Sequence, residues 1–312
     1  MMTTDPSTSA AARTPHMLLG LPAPAKLNLF LHVIGRRADG KHLLESIFIL
    51  IDLADTVDLT ELPAGRIERT GDLECAPEAD LCWRAAEALR AAAGPAAAEK
   101  GVRIRVEKRI PAGAGMGGGS SDAATTLIGL NRLWELGLDR AELARIGETL
   151  GADVPFFIHG QNAFVEGIGE RVSPLFVPPA EYAVIWPGRG VSTAKIFASP
   201  SLTRDSESQR IRVFSDLLRN RWPELPGRND LQKTAAAIEP VILDALAALA
   251  PLGGETRMTG SGSAVFALIR PGSPEPALEM NRLPAGWRFF SVRSLREHPL
   301  RAWTQDAGAI GV

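Results

Sequence analysis

The stretch "RIPAGAGMGGGSSDAATTLIGL", Arg109 to Leu130, places a run of glycines directly before a segment with helical spacing. At Gly113, Gly115, Gly117, Gly118 and Gly119 no Cβ keeps the backbone N–H groups from an anion, and Ser120 and Ser121 add hydroxyl donors. The helix that follows brings the positive end of its dipole to the same point. A phosphate suits such a cradle, although the same glycines also serve a turn needed only for tight packing. Gly113, Gly115 and Gly118 satisfy G-x-G-x-x-G, but the preceding "VRIRVEKRI" is amphipathic where a dinucleotide fold needs a continuously apolar parallel strand. A P-loop is excluded because Gly119 is followed by Ser120 with no lysine, and the protein-kinase signatures are missing.

Other residues carry chemistry only in context. Asp153, in "GADVPFF", follows a glycine-terminated helix on a segment restricted by Pro155, and taken alone it reads as a turn or helix-cap aspartate. Lys26 and Asn28 share one face of an alternating segment, where a lysine is ordinarily solvated. His42 taken alone is a loop histidine. Asp52, Asp55 and Asp58 do not keep three carboxylates on one strand face, so structural or solvated roles are expected rather than a metal site.

The elements that must position these residues follow from periodicity. In "PAKLNLFLHVIG", Leu27, Leu29, Leu31 and Val33 share a core face, while Lys26, Asn28, Phe30 and His32 share the other. Strands are expected near 46–53 and 56–62 with turn residues between, and another over "GVRIRVEKRIP" with Val102, Ile104, Val106 and Ile110 inward. A helix follows Asp80 and stops at Gly94. The glycine loop leads into a helix capped by Ser120 or Ser121, with Ala124, Leu127, Leu130, Leu133 and Trp134 as its buried stripe and Gly137 as its stop. A shorter helix is expected over 140–150. Beyond the proline-rich "FVPPAEY", a second lobe contains long helices within 206–249, then "RMTGSGSAVFALIR", a glycine turn entering an apolar strand. No internal repeat has a fixed period.

Composition narrows the partners. A chain of 312 residues accommodates two lobes, and 45% hydrophobic with 22% charged residues is ordinary for a globular protein. A formal net charge of -2 offers no overall attraction for nucleic acid or anionic lipid, so phosphate binding must be local and the partner small. Cys75 and Cys82 form neither a disulfide framework nor a zinc pattern, and no run approaches the ~18 apolar residues of a membrane span. A cytoplasmic protein without membrane or nucleic-acid partners is expected. Its oligomeric state is not legible.

Five ordered segments together resemble the GHMP kinases, the family of galactose, homoserine, mevalonate and phosphomevalonate kinases. Pro111 with "GAGMGGGSSDAA" is similar to a long variant of that family's nucleotide loop, P-x-x-x-G-L-G-S-S-A. "PAKLNLFLHVIGRRADGKH", "LGADVPFF", "GRNDL" and "RMTGSGSAVFAL" match its other motifs in order, so the resemblance runs from about Pro24 to Phe266. The resemblance implies a two-lobed α+β GHMP kinase fold with the active site between the lobes. Its expected parts are a flexible tail over 1–16, a nucleotide-binding kinase domain over 17–172, a C-terminal GHMP domain over 173–298 and a tail over 299–312.

The same resemblance points to the branch that uses ATP with Mg2+ to phosphorylate the 2-hydroxyl of 4-diphosphocytidyl-2-C-methyl-D-erythritol, in the non-mevalonate route to isoprenoid precursors. It assigns Asp153 as general base, Lys26 as the cation that orients it or stabilises the transferring group, and Asn28 as a substrate contact. His42 is implied to read the cytosine edge and Phe197 to form an aromatic wall, with Thr193 near the substrate. Lys41 stands where the branch has a tyrosine, which leaves one aromatic wall. Gly260, Ser261 and Gly262 are implied to bring backbone near the substrate phosphates. Nucleotide contacts are implied at Lys108, Pro111, Gly113, Gly115, Met116, Gly117, Gly118, Gly119, Ser120 and Ser121, with adenine near Lys108 and Trp83. The magnesium ligands are not legible. A different GHMP kinase, of homoserine or mevalonate type, and an inactive nucleotide-binding regulator are the alternatives.

Overall fold

The alternating N-terminal segment forms β1 (Met17–Arg36), which runs antiparallel along nearly the whole of β2 (His42–Leu62). The computed structural model describes residues 16–73, 75–252, 254–270, 272–273 and 283–306; apart from His16, the tail expected over 1–16 lies outside them. β2 is the spine of the molecule. Its second edge pairs in succession with β5 (Ala163–Gly167), with the end of β10 (Arg288–Leu295) and with β4 (Gly101–Glu107), while β3 (Ile67–Gly71) lies parallel to β4 and β6 (Arg171–Pro174) antiparallel to β5.

The expected turn between strands 46–53 and 56–62 does not exist. Asp55, which resembles a turn residue in sequence, is fully buried and accepts the backbone N–H groups of Arg109 and Ile110, so the chain stays extended through it. β1 also departs from simple alternation. Asn28 pairs with Phe48 and Phe30 with Ile47, leaving one extra residue, Leu29, in a bulge. The bulge exchanges the faces: Leu31 follows Lys26 and Asn28 toward the interlobe cavity, whereas Phe30 packs with Leu27 and Leu29 in the core. Both faces of β1 are interior, since Lys26, Asn28 and His32 are buried as well.

Helices α1 (Leu81–Ala93), α2 (Gly118–Leu133), α3 (Arg140–Glu148) and α4 (Val154–His159) bury their apolar residues in one core with β2, β3 and β4. Asp80 caps α1 by accepting from Cys82 N, and Asp139 with Glu142 forms a capping box on α3. α2 starts earlier than expected and has no serine cap; Gly117, in the left-handed region at φ 73°, stands at its N-terminus. This helix is buried nearly all round, far beyond the expected stripe, because α1, α4 and β1 enclose it.

In the second lobe, β7 (Glu181–Trp186) pairs with β10 and β9 (Val265–Leu268), and β8 (Thr256–Met258) completes the order β3-β4-β2-β10-β7-β9-β8. α5 (Thr193–Ala198), α6 (Ile211–Asn220), α7 (Gln232–Ile238) and α8 (Val241–Leu249) accompany it, so the long helical stretch expected over 206–249 is broken into three helices. The lobes are joined where β10 meets β2. There the Asn162 side chain accepts from Leu50 N at 2.9 Å and donates to Leu295 O at 3.1 Å.

The segment expected as a tail from residue 299 is instead docked on the first lobe through residue 306. Leu300 and Thr304 are buried, and the Arg140 guanidinium donates to Thr304 O at 2.7 Å and Arg301 O at 3.1 Å. Residues 307–312 lie outside the described part. Among the described residues no helix is long and apolar enough to cross a membrane.

Candidate active site

Lys26 and Asp153 both line the interlobe cavity and meet there, with Nζ 3.7 Å from Oδ2. Lys26 is held by its backbone N–H to Met116 O at 3.0 Å, by Nζ donating to Asn28 Oδ1 at 2.5 Å, and by the Phe48 ring, whose centroid is 4.6 Å from Nζ. Its side chain is 4% exposed and that of Asp153 is 30% exposed, so the pair has one buried member and one open to the cavity. Burial lowers the Lys26 pKa, and the Asp153 carboxylate opposes that shift. Asp153 occupies the N-terminal boundary of α4 without capping it, which leaves its carboxylate available.

Asn28 is fixed in turn. Its side-chain NH2 donates to Ser46 Oγ at 2.9 Å, and its backbone N–H donates to Thr259 Oγ1 at 3.0 Å. Lys26, Asn28, Asp153, Thr193, Phe197, Gly260 and Ser261, which the resemblance placed near the substrate, line one cavity of about 220 Å³, together with Leu31, which periodicity had placed in the core. Thr193 Oγ1 and Ser261 Oγ are 2.8 Å apart at its rim. Gly262 is not among its lining residues; it packs behind the glycine loop, where a Cβ on Gly115 would lie 2.9 Å from its backbone N.

The glycine loop lines a second cavity, of about 360 Å³, with Lys108, Pro111, Gly113, Gly115, Met116, Gly117, Gly118, Gly119 and Ser120 on its wall. The loop is pressed against the second lobe: a Cβ on Gly115, at φ 77°, would stand 2.3 Å from Thr259 O. Two expectations for this cavity need correction. Ser121 is buried inside α2 and donates to Pro24 O at 2.7 Å, so its hydroxyl joins helix to strand and does not reach the cavity. Trp83 packs on the core, and α1 contributes Leu81 and Cys82 to the cavity wall instead.

Lys108 does line this cavity, but its Nζ is committed to Asp55 Oδ2 at 2.5 Å and Asp122 Oδ2 at 2.7 Å. These carboxylates raise its pKa against the burial that lowers it. Burial pushes Asp122 up to about 7, opposed by the Lys108 charge. Asp122 was missed in the sequence because it reads as an ordinary first-turn helix acid; its Oδ1 is buried without a partner. Asp52 and Asp58 accept from Arg293 N and Gly20 N, and no metal-holding cluster of His, Cys, Asp and Glu occurs among the described residues.

A third cavity, of about 610 Å³, adjoins the first through Leu44, Ile168 and Phe197 and is lined by Arg36, Lys41 and His42. The His42 and Phe197 rings are stacked, 4.6 Å between centroids and 22° between planes. They thus form one continuous layer, not two separate contacts. His42 Nε2 accepts from Arg204 Nε at 3.0 Å. Burial, and then the charges of Arg204 and Arg36, lower the His42 pKa, which keeps the ring neutral near pH 7. Arg204 carries no motif signal in the sequence. The "GRNDL" turn, by contrast, is legible but was without a role: Asn229 Nδ2 donates to Met258 O and Gly260 O, and Asp230 Oδ2 accepts from Val33 N at 2.8 Å, which pins β1 to the turn after β8.

Comparison with known proteins adds an independent line. Residues 80–161 match the GHMP kinases N terminal domain and residues 202–282 match the GHMP kinases C terminal domain. The chain is 50% identical over 290 residues to a 4-diphosphocytidyl-2-C-methyl-D-erythritol kinase from Paracidovorax citrulli, covering 92% of this chain and 97% of that protein. A Verminephrobacter eiseniae protein of the same name is 50% identical over 299 residues, with 93% and 98% covered. A crystal structure of 4-(cytidine 5'-diphospho)-2C-methyl-D-erythritol kinase superposes with a TM-score of 0.72 at 36% identity, covering 89% of this chain and 99% of that one. Homoserine kinase from Cytophaga hutchinsonii, at 18% identity and a TM-score of 0.59, shares the fold.

Proposed function

Since this chain belongs to the GHMP kinase family, we propose that it transfers the γ-phosphoryl group of ATP to the 2-hydroxyl of 4-diphosphocytidyl-2-C-methyl-D-erythritol. The observation that carries this reading is the continuity of the His42–Phe197 layer with the Lys26–Asp153 centre through Phe197, Leu44 and Ile168. A base hydrogen-bonded in the plane of His42 extends the stacked layer and directs its diphosphate-linked alcohol toward Asp153. Homoserine and mevalonate need no such layer. The Lys26–Asp153 pair itself favours an enzyme over an inactive regulator.

In this reading the two domains correspond to 17–172 and 173–298, with the nucleotide held mainly by the first. Lys108 is neutralised by its two carboxylates, so the triphosphate is met by backbone N–H groups of the glycine loop, the N-terminus of α2 and the Ser120 hydroxyl. Asp153 receives the proton of the acceptor hydroxyl, and Lys26, paired with that carboxylate, directs its charge at the transferring oxygens. Asn28 keeps Lys26 in place through the 2.5 Å bond and is itself held by Ser46 and Thr259. Magnesium supplies charge neutralisation on the phosphates when bound with the nucleotide. The unpartnered Asp122 Oδ1 and the Ser120 hydroxyl are oxygens beside the loop that suit a hard cation.

The test is transfer of labelled γ-phosphate from ATP to the cytidyl substrate, homoserine, mevalonate and galactose in parallel. Transfer to the cytidyl substrate alone is expected. Transfer to one of the others without it overturns the proposal.

A further inference from the structure

Arg204 sits where one guanidinium ties three pieces of the second lobe to one side chain of the first. Its Nη2 donates to Phe197 O at 2.9 Å and Ser199 O at 2.7 Å, its Nη1 donates to Leu202 O at 3.0 Å, and its Nε donates across the lobes to His42 Nε2 at 3.0 Å. An arginine has donors only and does not lose its proton. The imidazole nitrogen facing it must therefore carry the lone pair, and in a neutral ring the hydrogen is then on Nδ1. Among the described residues His42 Nδ1 has no protein hydrogen-bond partner, and the ring lines the 610 Å³ cavity while stacked on Phe197.

We propose that Arg204 is a specificity-determining positioning residue, which locks His42 in the Nδ1–H form so that the site reads a pyrimidine with a donor and selects cytosine over uracil. This rests on the cytidyl reading of the same site. The discrimination is chemical. N3 of cytosine is an acceptor and pairs with Nδ1–H, whereas N3 of uracil bears a hydrogen and would leave two donors opposed. The intrinsic preference of a free imidazole does not enforce this choice, and a protonated ring would present a second donor to Arg204. The arrangement also explains why the Arg204 side chain spends its remaining donors on main-chain carbonyls: they hold the guanidinium in the plane that His42 needs.

The direct test is long-range 1H–15N correlation on protein labelled at its five histidines, with the His42 signals identified by their loss in His42→Gln. Near pH 7.5 the wild type should show a neutral His42 with Nδ1 protonated. In Arg204→Met the ring should become an exchanging mixture or the Nε2–H form, and Arg204→Lys, which retains a permanent donor, should restore part of the original signature. The second readout is the ratio of kcat/KM for the cytidyl substrate to that for its uridyl analogue. It should fall by roughly tenfold in Arg204→Met, the scale of one misplaced donor in a binding site, mainly through KM. A purely structural role would weaken both substrates alike. A wild-type His42 protonated at Nε2, or a switched tautomer with unchanged selectivity, overturns the lock. If His42 holds Nδ1–H but the wild type phosphorylates neither pyrimidine substrate, the proposed reaction fails, and the selectivity role fails with it; transfer with His42 protonated at Nε2 overturns the lock alone.

Discussion

Lys26 illustrates how a residue's chemistry is set by its neighbours. An exposed strand lysine would be an ordinary solvated cation, but here burial disfavours its charge and Asp153, 3.7 Å away, favours it. The pair is mutually dependent, and Asp153 is its open member. Asp153→Asn keeps the shape of the site and removes the proton acceptor, so turnover should fall by roughly 10²–10⁴ with ATP affinity nearly intact. Single-turnover kinetics with a parallel ATP titration checks this, and near-normal turnover would remove Asp153 from the mechanism. Lys41 makes a second residue-scale case. It is exposed and lines the same cavity as His42 and Phe197, with an aliphatic stem and a charge but no π face. Lys41→Tyr should tighten the cytidyl substrate by about 5- to 150-fold, the range of base–aromatic stacking, and leave ATP binding unchanged. The gain should grow with salt, because screening removes the lysine's attraction for the diphosphate and leaves stacking untouched. Calorimetric titrations at two salt concentrations decide it, and equal affinities at both would place position 41 away from the base.

At the scale of elements, the glycine loop does two jobs that its sequence does not separate. Gly115 allows the loop to lie against Thr259, and Gly117 allows α2 to begin in a left-handed turn beside Phe157 and Lys26. A Cβ at Gly117 would stand 3.0 Å from the Phe157 ring, and the φ of 73° is costly for a β-branched residue. Gly117→Val should therefore weaken ATP binding by at least tenfold, with circular dichroism used to confirm a folded protein. A folded variant with unaltered ATP affinity would restrict the loop to packing. Gly118 differs: it lacks a positive φ and is already helical, so its glycine serves the close approach to Ile110, where a Cβ would lie at 3.1 Å. The bulge at Leu29 is the other element-scale device. By adding one residue it puts Leu31 on the cavity side with Lys26 and Asn28, so a single strand supplies both the core and the site.

For the molecule as a whole, the return of residues 297–306 to the first lobe closes the chain on the element that carries Asp153. His298 N donates to Gly160 O at 2.8 Å, at the end of α4, and His298 Nδ1 accepts from Leu300 N at 3.0 Å. The ring is buried with Nε2 unpartnered, and burial lowers its pKa to about 4. A histidine held neutral contributes stability that is complete above its unfolded pKa near 6.5 and is lost as pH falls from there toward 4, because the unfolded chain then binds the proton more readily. Asp122 has the opposite sign, since its raised pKa favours the folded state on acidification, and so total stability mixes the two. Comparing the wild type with His298→Gln cancels the Asp122 contribution. Between pH 7 and pH 4.5 the wild type should lose about 2–3 kcal/mol more than the variant in urea denaturation. Equal losses would show that His298 is already solvated in the native state.

Much of the site was legible before any fold was known, because glycines before a helix, a lysine and asparagine two residues apart, and an aspartate after a glycine-ended helix are local patterns with local physics. Local physics alone gave the phosphate loop and the strand face shared by Lys26 and Asn28, whereas the α+β class and the site roles of Lys26, Asn28, His42, Asp153 and Phe197 followed from the resemblance of the ordered motifs to the GHMP kinases. What tertiary structure decided is everything that depends on contact between segments distant in sequence. Asp55 looks like a turn residue until Arg109, Ile110 and Lys108 are brought to it, and Ser121 looks like a phosphate donor until Pro24 O claims its hydroxyl. Likewise Arg204 has no signal of its own 162 residues from His42, yet the pairing of their nitrogens settles which hydrogen the imidazole carries. Periodicity reports only which residues share a face of one element. Which donor meets which acceptor across the lobes is fixed by packing, where an unpaired buried group costs enough to select one arrangement.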